Sequence, residues 1–68
     1  MNLKKELYNK LTYNEWSICH IYIEKAQECY SVERYSDARE SLMDAIAVCA
    51  SAGESNAASK IQYYLNVY

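Results

Sequence analysis

Apolar side chains return every three or four positions along most of this chain, with polar ones between them, which is the period of a helix and not of a strand. Leu3, Leu7, Tyr8 and Leu11 open the pattern, which then meets Thr12-Tyr13-Asn14-Glu15. A threonine three residues ahead of a glutamate forms a capping box: its oxygen accepts from a free backbone N–H of the new helix, and the glutamate reaches back to the threonine's own N–H. The spacing predicts a short leading helix over 2–11, separate from or continuous with a first long helix over 13–32. Ser36, with Asp37 and Glu40 behind it, is the expected cap of a second long helix over 36–52. Gly53 ends that helix in the left-handed conformation that glycine adopts cheaply, and Ser55 or Asn56 caps a last helix over 56–67.

Helical wheels assign faces to these segments. In the first long helix Trp16, Ile18, Cys19, Tyr22, Ile23, Ala26, Cys29 and Tyr30 fill an arc of roughly 160° centred near Ala26, with Ser17, His20, Glu24, Gln27, Glu28 and Ser31 opposite. In the second, Ala38, Leu42, Ala45, Ile46, Cys49, Ala50 and Ala52 cover more than half the circumference and Met43 and Ala47 widen the arc, so this helix belongs in the middle of the assembly. The last carries Ala57, Ala58, Ile61, Tyr64, Leu65 and Tyr68 on one stripe, while Tyr63 and Val67 point away from it. The small residues Ala26, Ala38 and Ala45 let two backbones approach closely, with a turn near Glu33 to Tyr35. The expected fold is all-α: an antiparallel helical hairpin extended to a three-helix bundle, in one domain over 1–68.

Composition narrows this further. A chain of 68 residues lies near the size at which one core outweighs chain entropy unaided, which makes a partner subunit a natural source of extra burial. With no proline and a single glycine, strands and hairpin turns lack their usual punctuation. Three cysteines, Cys19, Cys29 and Cys49, make no CxxC pair and no charged-then-apolar leader is visible, so a reducing cytoplasm is the expected setting. Ile18 to Ile23 is interrupted by His20, far short of a membrane span. The net charge of −2 is uneven: Lys4, Lys5 and Lys10 outweigh Glu6 at the start, and eight acids outweigh Lys25, Arg34 and Arg39 over 12–54. Without clustered cations, direct binding to nucleic acid is not expected.

The stretch 19–52 resembles one tetratricopeptide repeat, a 34-residue helix-turn-helix unit. Tyr22, Ala26, Cys29, Tyr30, Tyr35, Ala38, Leu42, Ala45 and Ile46 follow the family's hallmark order, while Lys25, Glu33 and Ala50 depart from its leucine, turn glycine and closing proline. The resemblance implies a hairpin covered by the C-terminal helix, with His20, Ile23, Gln27 and Tyr30 on the face that binds partners in that family. A second, competing similarity is to the MIT domain, a three-helix bundle that binds peptide helices; it rests on Ala26, Tyr35, Ala38, Leu42 and Ala45 with the final Lys60-Ile61-Gln62-Tyr63-Tyr64-Leu65. It implies a groove around Ala47, Ala50, Ile61 and Leu65 instead.

Candidate chemistry is sparse. His20 and Glu24 stand one turn apart, but the three cysteines point elsewhere, so neither a tetrahedral metal set nor a cysteine–histidine nucleophile is expected, and no cofactor is implied. The eight tyrosines carry more weight, since tyrosine and tryptophan give large contact area at low entropic cost. Core packing accounts for Tyr22, Tyr30, Tyr35 and Tyr64; Tyr13, Tyr63 and Tyr68 are left over. The sequence thus points to a non-enzymatic adaptor, chaperone-like protein or inhibitor. It would bind itself or another protein through Trp16, His20, Ile23, Gln27, Tyr30, Tyr63 and Val67. The alternative is a regulator of a nucleic-acid-binding or host protein, acting by protein contact or by acidic mimicry through Glu33, Asp37, Glu40, Asp44 and Glu54.

Overall fold

A computed structural model of the chain describes residues 2–67; Tyr68, assigned above to the last helix's inner stripe, lies outside them. The described residues form four helices and no strand: α1 (Leu3–Lys10), α2 (Tyr13–Ser31), α3 (Tyr35–Ser51) and α4 (Ser55–Val67). The protein is all-α, as its periodicity requires.

The capping box at Thr12 forms as expected: Thr12 Oγ1 accepts from the Glu15 N–H at 3.2 Å, and Glu15 Oε1 accepts from the Thr12 N–H at 2.8 Å. Leu11 and Thr12 are extended, so α1 and α2 are two helices and not one. Geometry favours the break, because one continuous helix would aim Leu7 roughly 160° away from Ile23 at 100° per residue. Folded back, α1 instead buries its leucines beside α2, and Leu3, Leu7 and Ile23 are all fully buried.

The two remaining connections share one design. After α2, the Arg34 N–H donates to the Cys29 carbonyl at 2.8 Å and the Glu33 N–H to that of Tyr30 at 3.1 Å; after α3, the Glu54 N–H donates to Cys49 at 2.8 Å and the Gly53 N–H to Ala50 at 3.1 Å. Both are Schellman closures, which satisfy carbonyls at the helix end and need a left-handed residue. Gly53 supplies it at φ 78°, as expected, and Glu33 does so at φ 61° without being glycine. Each turn then feeds the next helix directly, since the carbonyls of Arg34 and Glu54 accept the first helical bonds from Ala38 and Ala58. The expected serine caps are therefore corrected: Ser36 lies inside the first turn of α3, whose N-cap Arg34 makes no side-chain cap, and Ser55 is already helical. A three-residue Schellman turn leaves no position outside the helix for either serine.

Helix α3 packs against α2 on one side and α4 on the other, and α1 packs against both α2 and α4. The middle position expected for α3 is thus found, although Met43, Ala47, Ala50 and Ala52 face solvent. The core is small where α2 meets α3, with Cys19, Ala26, Ala38, Ala45 and Cys49 fully buried and Ser41 nearly so. It is bulky elsewhere: Leu3, Leu7, Leu42 and Ile61 are completely enclosed, each stabilising the fold by about 1.5–3 kcal/mol. For α1, burial of three leucines has to offset the ordering of an eight-residue helix, at about 1–2 kcal/mol of backbone entropy per residue, so this helix is held with little surplus.

Candidate functional site

A chain of aromatic and charged groups follows the seam between α1 and α2. The Tyr8 ring meets Trp16 edge to face at 5.1 Å, and Trp16 stacks on His20 at 6.0 Å between centroids. His20 Nδ1 lies 2.9 Å from Glu24 Oε1, and the other carboxylate oxygen of Glu24 accepts from Lys4 Nζ at 2.8 Å. Hydrogen bonds from Lys4 and then His20 hold the Glu24 carboxyl below its ordinary range. Next to this run the Lys4 backbone N–H donates to Gln27 Oε1 at 3.2 Å. One end of the seam opens into a shallow depression lined by Tyr8, Leu11, Tyr13 and Trp16, where Tyr13 is 83% exposed.

A second surface lies where α1 meets α4. Tyr63 packs edge to face on Tyr64 at 5.3 Å, and the Lys10 ammonium sits 5.2 Å from the Tyr64 ring centre and 5.8 Å from that of Tyr63. A hydrogen bond with the Tyr64 phenol raises the Lys10 pKa. Lys60 Nζ donates to the Lys10 carbonyl at 2.9 Å and stands 3.9 Å from Glu15, whose side chain is nearly buried.

A third depression, between α2 and α3, is lined by Lys25, Cys29, Arg34, Asp37, Glu40, Ser41 and Asp44. Its charges are mixed, and Arg34 pairs with Asp37. The cysteines lie inside. Burial pushes the Cys19 thiol up to about 12 and raises that of Cys49, which disfavours the thiolate at both. Among the described residues no group of three or more histidine, cysteine or acidic side chains is placed to hold a metal ion, and no helix is long and apolar enough to cross a membrane.

The seven residues singled out as partner-binding do not form one surface. Trp16 and His20 share the α1–α2 seam, whereas Tyr63 and Val67 lie on the outer side of α4, 59% and 57% exposed. Ile23 and Tyr30 are buried, at 0% and 7%, Gln27 is bonded to the backbone of α1, and His20 stays part-exposed, so His20, Ile23, Gln27 and Tyr30 do not present one open face. The resemblance groups these four, whereas helical spacing puts Ile23 and Tyr30 on the apolar side and His20 and Gln27 opposite them; neither shows that the chain's own first helix packs here. The alternative groove does not assemble either: Ile61 and Leu65 are buried while Ala47 and Ala50 face outward. Tyr35, expected in the core, is 55% exposed, because it opens α3 at the turn and lays its ring against Tyr30 at 6.1 Å. Sequence reasoning passed over Tyr8, Lys10 and Lys60 as site residues; the only signal for Lys60 was its being the one cation on α4.

No known protein family, curated protein or solved structure matches the chain.

Proposed function

We propose that this protein is a non-enzymatic interaction module that binds a protein surface, a second copy of itself included, through aromatic side chains left outside its core. The observation that carries the reading is the exposure of large apolar groups on an otherwise well-packed chain: Tyr8, Tyr13, Tyr63 and Val67 are each more than half exposed, and Trp16 is only partly covered. Tyrosine and tryptophan in such positions are typical anchors at protein interfaces. The buried thiols and the hydrogen-bonded His20–Glu24 pair fit a structural role better than a catalytic one. A symmetric pairing of two copies is the economical arrangement, since one self-complementary patch covers the same residues twice.

Sedimentation equilibrium of the purified chain at tens of micromolar, against the double variant Tyr63→Ser/Val67→Ser and the single variant Tyr13→Ser, tests this. A dimer, or one stoichiometric partner retained from lysate, that is weakened by either substitution supports the reading. A wild-type monomer that retains no partner overturns it.

A further inference from the structure

Helix α1 occupies a groove that the rest of the molecule builds. Helices α2 and α4 flank α3, and α1 bridges α2 and α4, burying Leu3 and Leu7 completely and leaving Leu11 8% exposed. Leu3 and Leu7 stand at i and i+4, the spacing by which an amphipathic helix seats in an apolar groove, and Leu11 follows as the extended residue that ends it. The groove also has a charged rim, since Glu24 receives the lysine that follows the first leucine.

Several features make this occupant exchangeable. Helix α1 has eight residues, well below the length at which a helix is stable by itself, so it is helical because it is docked. Its covalent tie to α2 consists of two extended residues, Leu11 and Thr12, and the capping box lets α2 start at Tyr13 whether or not α1 is in place. Its polar ties to α2, the Lys4–Glu24 pair and the Lys4 N–H to Gln27, are exposed to water, where such contacts are weak. To α4 it is tied by the Lys60 Nζ bond to the Lys10 carbonyl at 2.9 Å, also exposed, whereas α2, α3 and α4 are joined through the two Schellman turns and the part-buried Arg39 Nη1 bond to the Leu65 carbonyl at 2.7 Å.

We propose that the groove between α2 and α4 is a helix-binding site for which α1 is a built-in, displaceable ligand. Its partner in trans is a short amphipathic helix presenting leucines at i and i+4, with a lysine immediately after the first and a third leucine in the extended residue that follows the helix. The resident helix sets the threshold: a partner must outcompete a tethered copy present at high effective concentration. The inference concerns the surface beneath α1, although Tyr8 of α1 itself and its neighbour Trp16 belong to the exposed aromatics, and its test does not depend on Tyr13, Tyr63 or Val67.

The test uses the full chain in two forms that loosen α1: Leu7→Ala, and a six-residue glycine–serine insertion between Leu11 and Thr12 that alters no packed side chain. The probe is a fluorescein-labelled peptide with the sequence of residues 2–11, titrated by anisotropy to about 1 mM, a range set by the poor helicity of so short a peptide. Saturable one-to-one binding at least tenfold tighter to both loosened forms than to wild type is expected. The same peptide carrying Leu7→Ser should not bind. Glu24→Lys should weaken the peptide, and a Lys4→Glu peptide should regain the lost affinity.

Equal binding to wild type and loosened forms overturns the proposal, as does the absence of saturation when circular dichroism shows the insertion form folded. Loss of cooperative melting in the insertion form also overturns it, because α1 would then be an inseparable part of the core. Concentration-dependent dimers in place of peptide binding would make the occupant a second copy and likewise reject the trans helix.

Discussion

Lys60 reaches across fifty residues of sequence to Lys10, donating from Nζ to its carbonyl at 2.9 Å. That carbonyl belongs to the last turn of α1, where acceptors lack helical donors and carry partial negative charge, so a cation arriving from α4 is well placed. The same ammonium faces the nearly buried carboxylate of Glu15, linking the start of α2 to both helices.

Replacing Lys60 with methionine keeps the apolar stem and removes the charge. The substitution should cost about 1 kcal/mol, since the contacts are charge-assisted but partly exposed, and should lower the melting temperature by roughly 4–8 °C. Amide exchange over 3–10 should accelerate more than exchange over α3. Unchanged exchange in α1 would show that Lys60 does not fasten it.

At the α2–α3 seam, Ala45→Leu should overpack a fully buried site and destabilise the protein by about 1–3 kcal/mol. Urea denaturation checks this, and a neutral result would put the tight contact elsewhere.

The two Schellman turns make opposite predictions from equivalent positions. Glu33 holds a left-handed conformation that costs a side-chain-bearing residue about 1–2 kcal/mol, part of which Glu33→Gly returns after the added chain entropy; a net gain of about 0.5 kcal/mol is expected. Gly53→Ala should lose about 1 kcal/mol through the backbone alone, because a Cβ there meets no atom within 4 Å. Thermal melts of the two variants should move in opposite directions.

Acid should loosen the α1–α2 seam. The folded pKa of Glu24 lies below its ordinary 4.5, so its stabilising contribution is complete above that value and disappears as the pH falls through the folded pKa. The urea midpoint of the wild type should therefore fall more steeply than that of Glu24→Gln between roughly pH 5 and pH 3. Parallel curves would mean that Lys4 and His20 do not hold this carboxylate in solution.

Much of the architecture was legible because it is locally encoded. Thr12 and Glu15 lie three residues apart, Gly53 is a lone glycine after an apolar run, and Ala26, Ala38 and Ala45 mark a close approach by size alone. The beginnings of α3 and α4 were misread because serine is a good cap in general, whereas the Schellman turns had already consumed the preceding residues. The candidate surface was less legible for a tertiary reason. Three leucines at and just after a short helix demand burial without naming what they bury against, and the packing of α1 beside Glu24 and Gln27 depends on contacts between residues twenty or more positions apart. Tyr63 and Val67, whose exposure follows from the phase of their own helix, were placed correctly.

Small residues between α2 and α3 also have a mechanical effect. Alanine has no rotamers to exchange, so Ala26, Ala38 and Ala45 cannot cushion a relative displacement by side-chain hopping. The hairpin is consequently a stiff beam. The larger side chains that α1 and α4 bury against it, Leu3, Leu7, Ile61, Tyr64 and Leu65, have χ angles to adjust, so a change of volume is better absorbed on the flanks than at the alanine seam.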